Sequence, residues 1–317
     1  MASPPSFPPP IIIPPSLPSS HTQTFIILHG RGSSSSYFAS PFISTPFSLS
    51  SAQKTLQSLY PTTKFIFPSA PYSRATIYKR SLITQWFDSW HLDGDDSFPY
   101  RRQPRHENEE WRAIEGLQAT ISYIHNLIKE ETALLAGGST RNIVLGGISQ
   151  GCAASLAALI LWDGEERLGG YLGMCGWLPF AETIKKEVTE KGEEEVKDDD
   201  EWDPFQRDDG EDEETTPDKS AAAVRTLREC LELNSDGHKG PISRPKAFDT
   251  PVFLGHGDQD PKVPLAHGKE AAECLKVVGF NNVSWNEYQG LGHWYSPEML
   301  TDMVTFLRGQ KEAESKS

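Results

Sequence analysis

Ser149 lies in Gly147-Ile148-Ser149-Gln150-Gly151, a spacing able to present a reactive alcohol. A serine hydroxyl is a weak nucleophile at neutral pH; it needs an adjacent base, and that base needs an orienting partner. The chemistry to expect is attack on a carbonyl carbon through a covalent acyl intermediate. The flanks make the pentapeptide specific. Asn142–Gly146 is a short β-branched run that reads as a buried strand, and Cys152–Trp162 is small and apolar, a packed helix. Strand, sharp turn and helix form the setting of a nucleophile elbow. Gly147 and Gly151 remove side chains that would clash in so strained a turn. The elbow sets Ser149 at the carboxyl edge of the sheet and the start of a helix, where the dipole favours developing negative charge.

Of the nine histidines, His293 is best placed as the base. It lies in Gly290-Leu291-Gly292-His293, between the last strand and the last helix, and completes the chain order serine, acid, histidine. His91, His106, His125 and His238 read as surface or satisfied core residues. The acid should follow the strand Val252–Leu254. Asp258 and Asp260 both qualify; Asp260 is preferred because Pro261-Lys262-Val263-Pro264 would fix its loop. His256 reads as a structural residue that ties this turn together. The oxyanion needs two backbone donors. Gln150 N–H, next after the nucleophile, supplies one. Arg31 N–H, in the loop His29-Gly30-Arg31-Gly32, supplies the other, with His29 bracing the loop. The Arg31 side chain reads equally as an attractor of anionic substrate or as a surface charge. Trp86, Phe87, Trp177 and Leu178 are the candidates for an apolar acyl pocket.

These residues must be carried by a sheet. Strand-like runs at Thr24–Leu28, Lys64–Phe67, Leu168–Trp177, Val252–Leu254 and Asn282–Tyr288 alternate with helical patterns. Those patterns are Ser50–Leu59, Glu107–Glu130, Ala221–Leu233, Ala266–Val277 and Pro297–Leu307. In Glu107–Glu130 the apolar positions Trp111, Ile114, Leu117, Ile121, Ile124 and Ile128 recur at three and four. Alternation predicts an α/β fold: a mostly parallel sheet with helices on both faces, in a single domain. Chemistry then gathers beyond the carboxyl ends of the strands. Ile11–Pro15 predicts a short edge strand, Ser33–Ser36 a serine-rich loop, and Ser69–Arg105 a long irregular aromatic segment.

The 317 residues carry a net charge of −14. Ala181–Ser220 holds 18 acidic and 6 basic residues, a local −12, so nearly all the acidity lies in one tract. The expected organisation is a disordered proline-rich tail over 1–10, a domain over 11–309 interrupted by a disordered acidic insertion at 189–217, and a tail over 310–317. With no basic stripe, nucleic acid is not an expected partner. Cys152, Cys175, Cys230 and Cys274 show no metal-like pairing, so neither metal nor disulfide framework is expected, and a reducing, cytoplasmic setting is. The Pro- and Ser-rich start is unlike a signal peptide, and no run is long enough to span a bilayer.

Leu28-His29-Gly30-Arg31-Gly32, Phe67-Pro68-Ser69-Ala70-Pro71, Trp86-Phe87-Asp88, Gly147–Gly151, His256–Pro264 and Gly292-His293 stand in one order. Together they resemble the phospholipase/carboxylesterase family, best known for its acyl-protein thioesterases, over roughly Ile11–Leu307 apart from the acidic insertion. The resemblance implies an α/β-hydrolase fold, Ser149, Asp260 and His293 as catalytic triad, and Arg31 and Gln150 amides as oxyanion hole. It implies no cofactor, and as substrate an acyl ester or thioester such as an S-acylated protein, with transient contact to a membrane surface. The chain departs from the family at Arg31, where an apolar residue is usual, and in the length of Tyr72–Arg105. Three functions follow as expectations. The first is a palmitoyl-protein thioesterase-like serine hydrolase. The second is a general carboxylesterase or lysophospholipase. The third is a non-catalytic binding protein on the same fold.

Overall fold

A computed structural model describes residues 6–17, 21–88, 107–194, 218–233 and 244–314, with backbone alone at 107–112, 191–194 and 314. In chain order the elements begin with β1 (Ile11–Ile13), β2 (Gln23–Leu28), α1 (Ser35–Ser44), β3 (Phe47–Leu49), β4 (Ala52–Lys54), α2 (Leu56–Leu59) and β5 (Thr63–Phe67). Next come β6 (Tyr72–Ala75), β7 (Ser81–Thr84), α3 (Glu107–Leu134), β8 (Ile143–Ile148), α4 (Gln150–Ile160) and β9 (Gly170–Met174). The chain continues through α5 (Ala181–Glu194), α6 (Lys219–Cys230), β10 (Val252–Gly257), α7 (Leu265–Val277), β11 (Val283–Tyr288) and α8 (Pro297–Glu314).

Seven strands form one sheet in the order β1-β5-β2-β8-β9-β10-β11. Only β1 runs antiparallel to its neighbour. The central strands are apolar on both faces, as a doubly covered sheet requires. Along β2, Phe25 and Ile27 point into one core with α1 and α8, while Ile26 and Leu28 point into the other with α3, α4 and α7. After β2 the chain moves toward one edge of the sheet; from β8 onward it moves toward the other. The loops after β2 and β8 therefore diverge at a topological switch point, where parallel sheets open a crevice. The His29–Gly32 loop and the elbow are these two loops.

Several elements differ from the sequence expectations. Ser33–Ser36 is not all loop: Ser34 caps α1 by accepting from Tyr37 N–H, so the helix begins at Ser35. Ser50–Leu59 is mostly a hairpin turn, because Ser50 and Ser51 take left-handed φ of 50° and 65°; only Leu56–Leu59 is helical, behind a Thr55 capping box. Within Ser69–Arg105, β6 and β7 pair as a hairpin, and 89–106 lie outside the described residues.

The tail over 1–10 is packed from Phe7 onward, where the ring stacks on Tyr123 at 4.2 Å. The acidic insertion does not start at Thr189: α5 continues through Glu194, because Ala181, Ile184 and Val188 anchor its buried stripe. Residues 195–217, the rest of that tract, lie outside the described residues. The tail at 310–317 is helical as far as Glu314. Gln310 Oε1 accepts from Asn282, and Lys311 reaches Gln23 Oε1 at 3.2 Å, so the last turns are tied to the sheet. In α3, Ile114, Leu117, Ile121, Ile124 and Ile128 are buried as the periodicity requires. Trp111 lies where only backbone is described, and His91, His106 and His238 lie outside the described residues.

Candidate active site

Ser149 sits between β8 and α4 with φ 57° and ψ −124°. A non-glycine residue at positive φ is strained, and such strain gathers at functional sites. The neighbours explain how the turn is tolerated. A Cβ on Gly151 would come within 2.5 Å of His29 O, and one on Gly147 would strike the Gly151 backbone. Ser149 N–H donates to Met174 O at 2.9 Å, which pins the elbow against the end of β9. Gln150 opens α4, so helix amides surround the space beside the alcohol.

Asp260 follows β10, and its side chain is fully buried. Its Oδ1 accepts from Lys262 N–H at 2.8 Å and Val263 N–H at 3.0 Å, and its Oδ2 accepts from His293 Nδ1 at 2.7 Å. Burial alone would raise this carboxyl. Bonds from His256, His293 and Val263 N–H outweigh it and hold the group well below the usual carboxylate range. Asp258, the other candidate acid, is exposed and accepts from Gly290 N–H at 2.7 Å, which shapes the loop leading to His293. A Cβ on Gly257 would collide with Leu291 O, so that glycine lets the His293 loop lie against β10.

Cys175 joins the two halves of the site. It follows Met174, the acceptor for Ser149, and its Sγ lies 3.3 Å from Trp294 O and 3.9 Å from Gly292 O, the carbonyls on either side of His293. Burial pushes the thiol up to about 12, so it is a neutral donor there. Donor atoms of Cys175, Asp260 and His293 lie within 4.8 Å of one another. Among the described residues the Ser149 hydroxyl makes no hydrogen bond to His293. Such contacts are often loose until substrate is bound.

The loop after β2 lies directly on the elbow: a Cβ on Gly30 would sit 3.2 Å from Ser149 Cβ and 3.7 Å from its Oγ. His29 braces this loop, as the sequence suggests. Its Nδ1 donates to Gly30 O at 2.8 Å and its Nε2 accepts from Ala70 N–H at 3.2 Å, a pairing only the neutral ring can make. Burial lowers its pKa to about 4, against a smaller raising effect of the Gly30 bond. By linkage, the unfolded histidine, near 6.5, binds a proton that the folded one refuses. Stability from His29 is therefore complete above about pH 6.5 and falls by about 3 kcal/mol as pH drops to about 4. The urea midpoint of the wild type should fall more between pH 7 and pH 4.5 than that of His29→Gln. An equal fall in both would remove His29 from the account.

Sequence reasoning missed how the flanking segments hold this loop. The Gln150 side chain, 1% exposed, accepts from Trp86 N–H at 2.9 Å and donates to Phe87 O at 2.7 Å. Trp86 Nε1 donates to His29 O at 2.7 Å. Gln150 thus clamps the Trp86-Phe87 segment, and Trp86 in turn holds the His29–Gly32 loop. The β6–β7 hairpin grips the same loop: Gly32 N–H donates to Thr84 O at 2.7 Å, and Thr84 Oγ1 donates to Ser33 O at 2.5 Å. Asp88 accepts from Thr76 N–H and Oγ1 at the tip of that hairpin. The Arg31 guanidinium lies over the Tyr78 ring at 5.3 Å and faces Asp88, so its charge is engaged within the chain. The only sequence signal for this was Gln150 itself, a polar residue at a position destined for burial. Trp86, Phe87, Trp177 and Leu178 are all buried in one core, with Phe87 and Trp177 edge to face at 6.4 Å.

The strained serine, the Asp260–His293 pair and the braced loop meet at the carboxyl edge of a parallel sheet, the arrangement of an α/β hydrolase. The chain belongs to the phospholipase/carboxylesterase family, whose pattern matches residues 10–196 and 236–310. It is 30% identical over 292 residues to acyl-protein thioesterase 1 of Gibberella zeae, covering 92% of each chain. It is 26% identical to acyl-protein thioesterase 1 of Yarrowia lipolytica, covering 91% of this chain and 92% of the relative. The fold is similar to that of Zea mays acyl-protein thioesterase 2 at a TM-score of 0.59 and 22% identity, covering 95% and 98% of the two chains.

Proposed function

We propose that this chain is an acyl-enzyme-forming serine hydrolase in which Ser149 is the nucleophile, His293 the general base and Asp260 the residue that orients it. The observation that carries this reading is the 2.7 Å bond from His293 Nδ1 to Asp260 Oδ2, at the sheet edge that also holds Ser149 at φ 57°. His293 Nδ1–H points at the carboxylate, which leaves Nε2 to take the Ser149 proton. The alkoxide adds to the substrate carbonyl, and the oxyanion is held by the Arg31 and Gln150 amides. His293 then protonates the leaving thiol or alcohol, water repeats the sequence, and the acid departs. The hydrolase unit is read as 11–309, supported by a family match that breaks at 197–235, over most of the acidic tract.

The substrate is read as an acyl thioester or ester, with S-acylated protein preferred, on the strength of relatives that bear the thioesterase name along nearly their whole length. Contact with such a substrate at a membrane would be peripheral: no helix among the described residues is long and apolar enough to cross one. Four free cysteines support a reducing compartment. A panel of acyl-chain lengths, presented as p-nitrophenyl esters and as S-palmitoylated peptide, tests the reading. Turnover of the palmitoylated peptide is expected. A sharp preference for short esters with no action on the peptide would reassign the chain as a general carboxylesterase, a reading favoured by the family's own description. Failure of a fluorophosphonate probe to label Ser149 would leave a binding protein.

A further inference from the structure

The catalytic acid of the proposed reaction has a second imidazole behind it. His256, on β10, is 1% exposed. Its Nε2 lies 2.9 Å from Val263 O and 3.3 Å from Asp260 Oδ2. A carbonyl only accepts, so Nε2 carries the hydrogen, and that hydrogen is shared between the carbonyl and the carboxylate. The oxygen it reaches is Oδ2, the same one that accepts from His293. Oδ1 meanwhile takes two backbone N–H groups. Four donors therefore surround one carboxylate, and it cannot rotate without losing bonds.

The surrounding fold gives up helix stability to keep this ring in place. Gly268 lies inside α7, where a glycine costs about 1 kcal/mol relative to alanine. A Cβ there would strike His256 Nδ1 and approach the Trp285 ring to 2.6 Å. The glycine lets α7 close directly on the imidazole, while Trp285 flanks it with ring centres 6.0 Å apart. A ring needed only to fill space could be replaced by an aliphatic side chain with a normal helix packed over it.

We propose that His256 is a positioning residue for hydrolysis: its shared Nε2–H fixes Asp260 Oδ2 where that oxygen orients the His293 ring. The proposal rests on Ser149, His293 and Asp260 being the reacting set. Without that donor, Oδ2 is no longer fixed, and the His293 ring that it orients is held less firmly. The groups facing this pair are few. Asp260 faces His293 from the loop before α8 and the neutral Cys175 thiol after β9. His256 faces Glu287 of β11, which is paired with Lys269 of α7 at 3.0 Å.

The test compares His256→Leu, which lacks a donor, with His256→Gln, whose amide nitrogen reaches the same place. In the leucine variant kcat should fall by about ten- to a hundredfold, the worth of one charge-assisted hydrogen bond, with KM nearly unchanged. His256→Gln should restore kcat. Equal losses of kcat in the two variants would overturn the proposal, as would a wild-type kcat in His256→Leu. If the leucine variant does not fold, His256→Asn takes its place, because its shorter amide stops short of Oδ2; identical profiles for Asn and Gln then refute the idea. Fluorophosphonate labelling of wild-type Ser149 is read separately. Its failure would strike the reaction assignment, not the role of His256 within it.

Discussion

Ser149→Ala should lower kcat for ester and thioester substrates by about a million-fold, to the residue left by binding and the oxyanion donors alone. The loss is near total because the members of such a set act as a unit: without the alcohol, His293 has no proton to take and no acyl-enzyme can form. The fold should survive. Alanine keeps the Cβ, the backbone bond from residue 149 to Met174 O persists, and no hydrogen bond of the hydroxyl is lost among the described residues. A thermal midpoint equal to wild type or slightly above it is expected, since functional strain and stability trade against each other. Burst kinetics with p-nitrophenyl acetate and a melting curve check both halves. A folded Ser149→Ala variant that still hydrolyses ester would remove Ser149 from the mechanism.

Asp260→Asn should lower kcat by about ten thousand-fold while KM changes little. The amide keeps the shape of the carboxylate, and its oxygen can still accept from the Lys262 and Val263 amides. Its NH2 then faces two imidazole nitrogens that previously donated. His293 is driven to the other tautomer, with the hydrogen on Nε2, where it cannot accept from Ser149. The folded carboxyl lies below its ordinary value, so its stabilising contribution is complete above the unfolded pKa near 3.9 and is lost only as pH falls toward the lower folded value. Across neutral pH the wild-type acid is therefore always ionised. The variant should be inactive across that whole range, not shifted within it. Recovery of activity at high pH would mean that charge, and not the tautomer, is what Asp260 supplies.

Local chemistry made much of the site legible. The elbow could be read from Gly147 and Gly151 because only glycine tolerates the backbone approaches found there. His29 could be read as a brace because it lies between a buried strand and a loop that must be held. The choice between Asp258 and Asp260 rested on Pro261 stiffening the loop, and in the structure it is Asp260 that meets His293, while Asp258 binds Gly290 N–H. The β6–β7 hairpin was not legible: Tyr72–Thr84 has no apolar alternation, because one hairpin away from the sheet buries little, with Tyr72 and Leu82 left exposed. The start of α1 was hidden for a different reason. Four serines in a row read as loop, although one of them caps a helix.

Composition, periodicity and turn chemistry were enough to specify a mostly parallel sheet, the alternation of its main strands with helices, and a serine poised at a strained turn. These are near-neighbour properties, decided by sterics and burial within a few residues. The tertiary structure alone decided which groups share a proton and which share a loop: Gln150 clamping Trp86 and Phe87, Arg31 engaged by Tyr78, and two histidines 37 residues apart meeting on one carboxylate oxygen. Such bonds depend on distances of a few tenths of an ångström between segments remote in the chain, and only the packed sheet and helices set those distances.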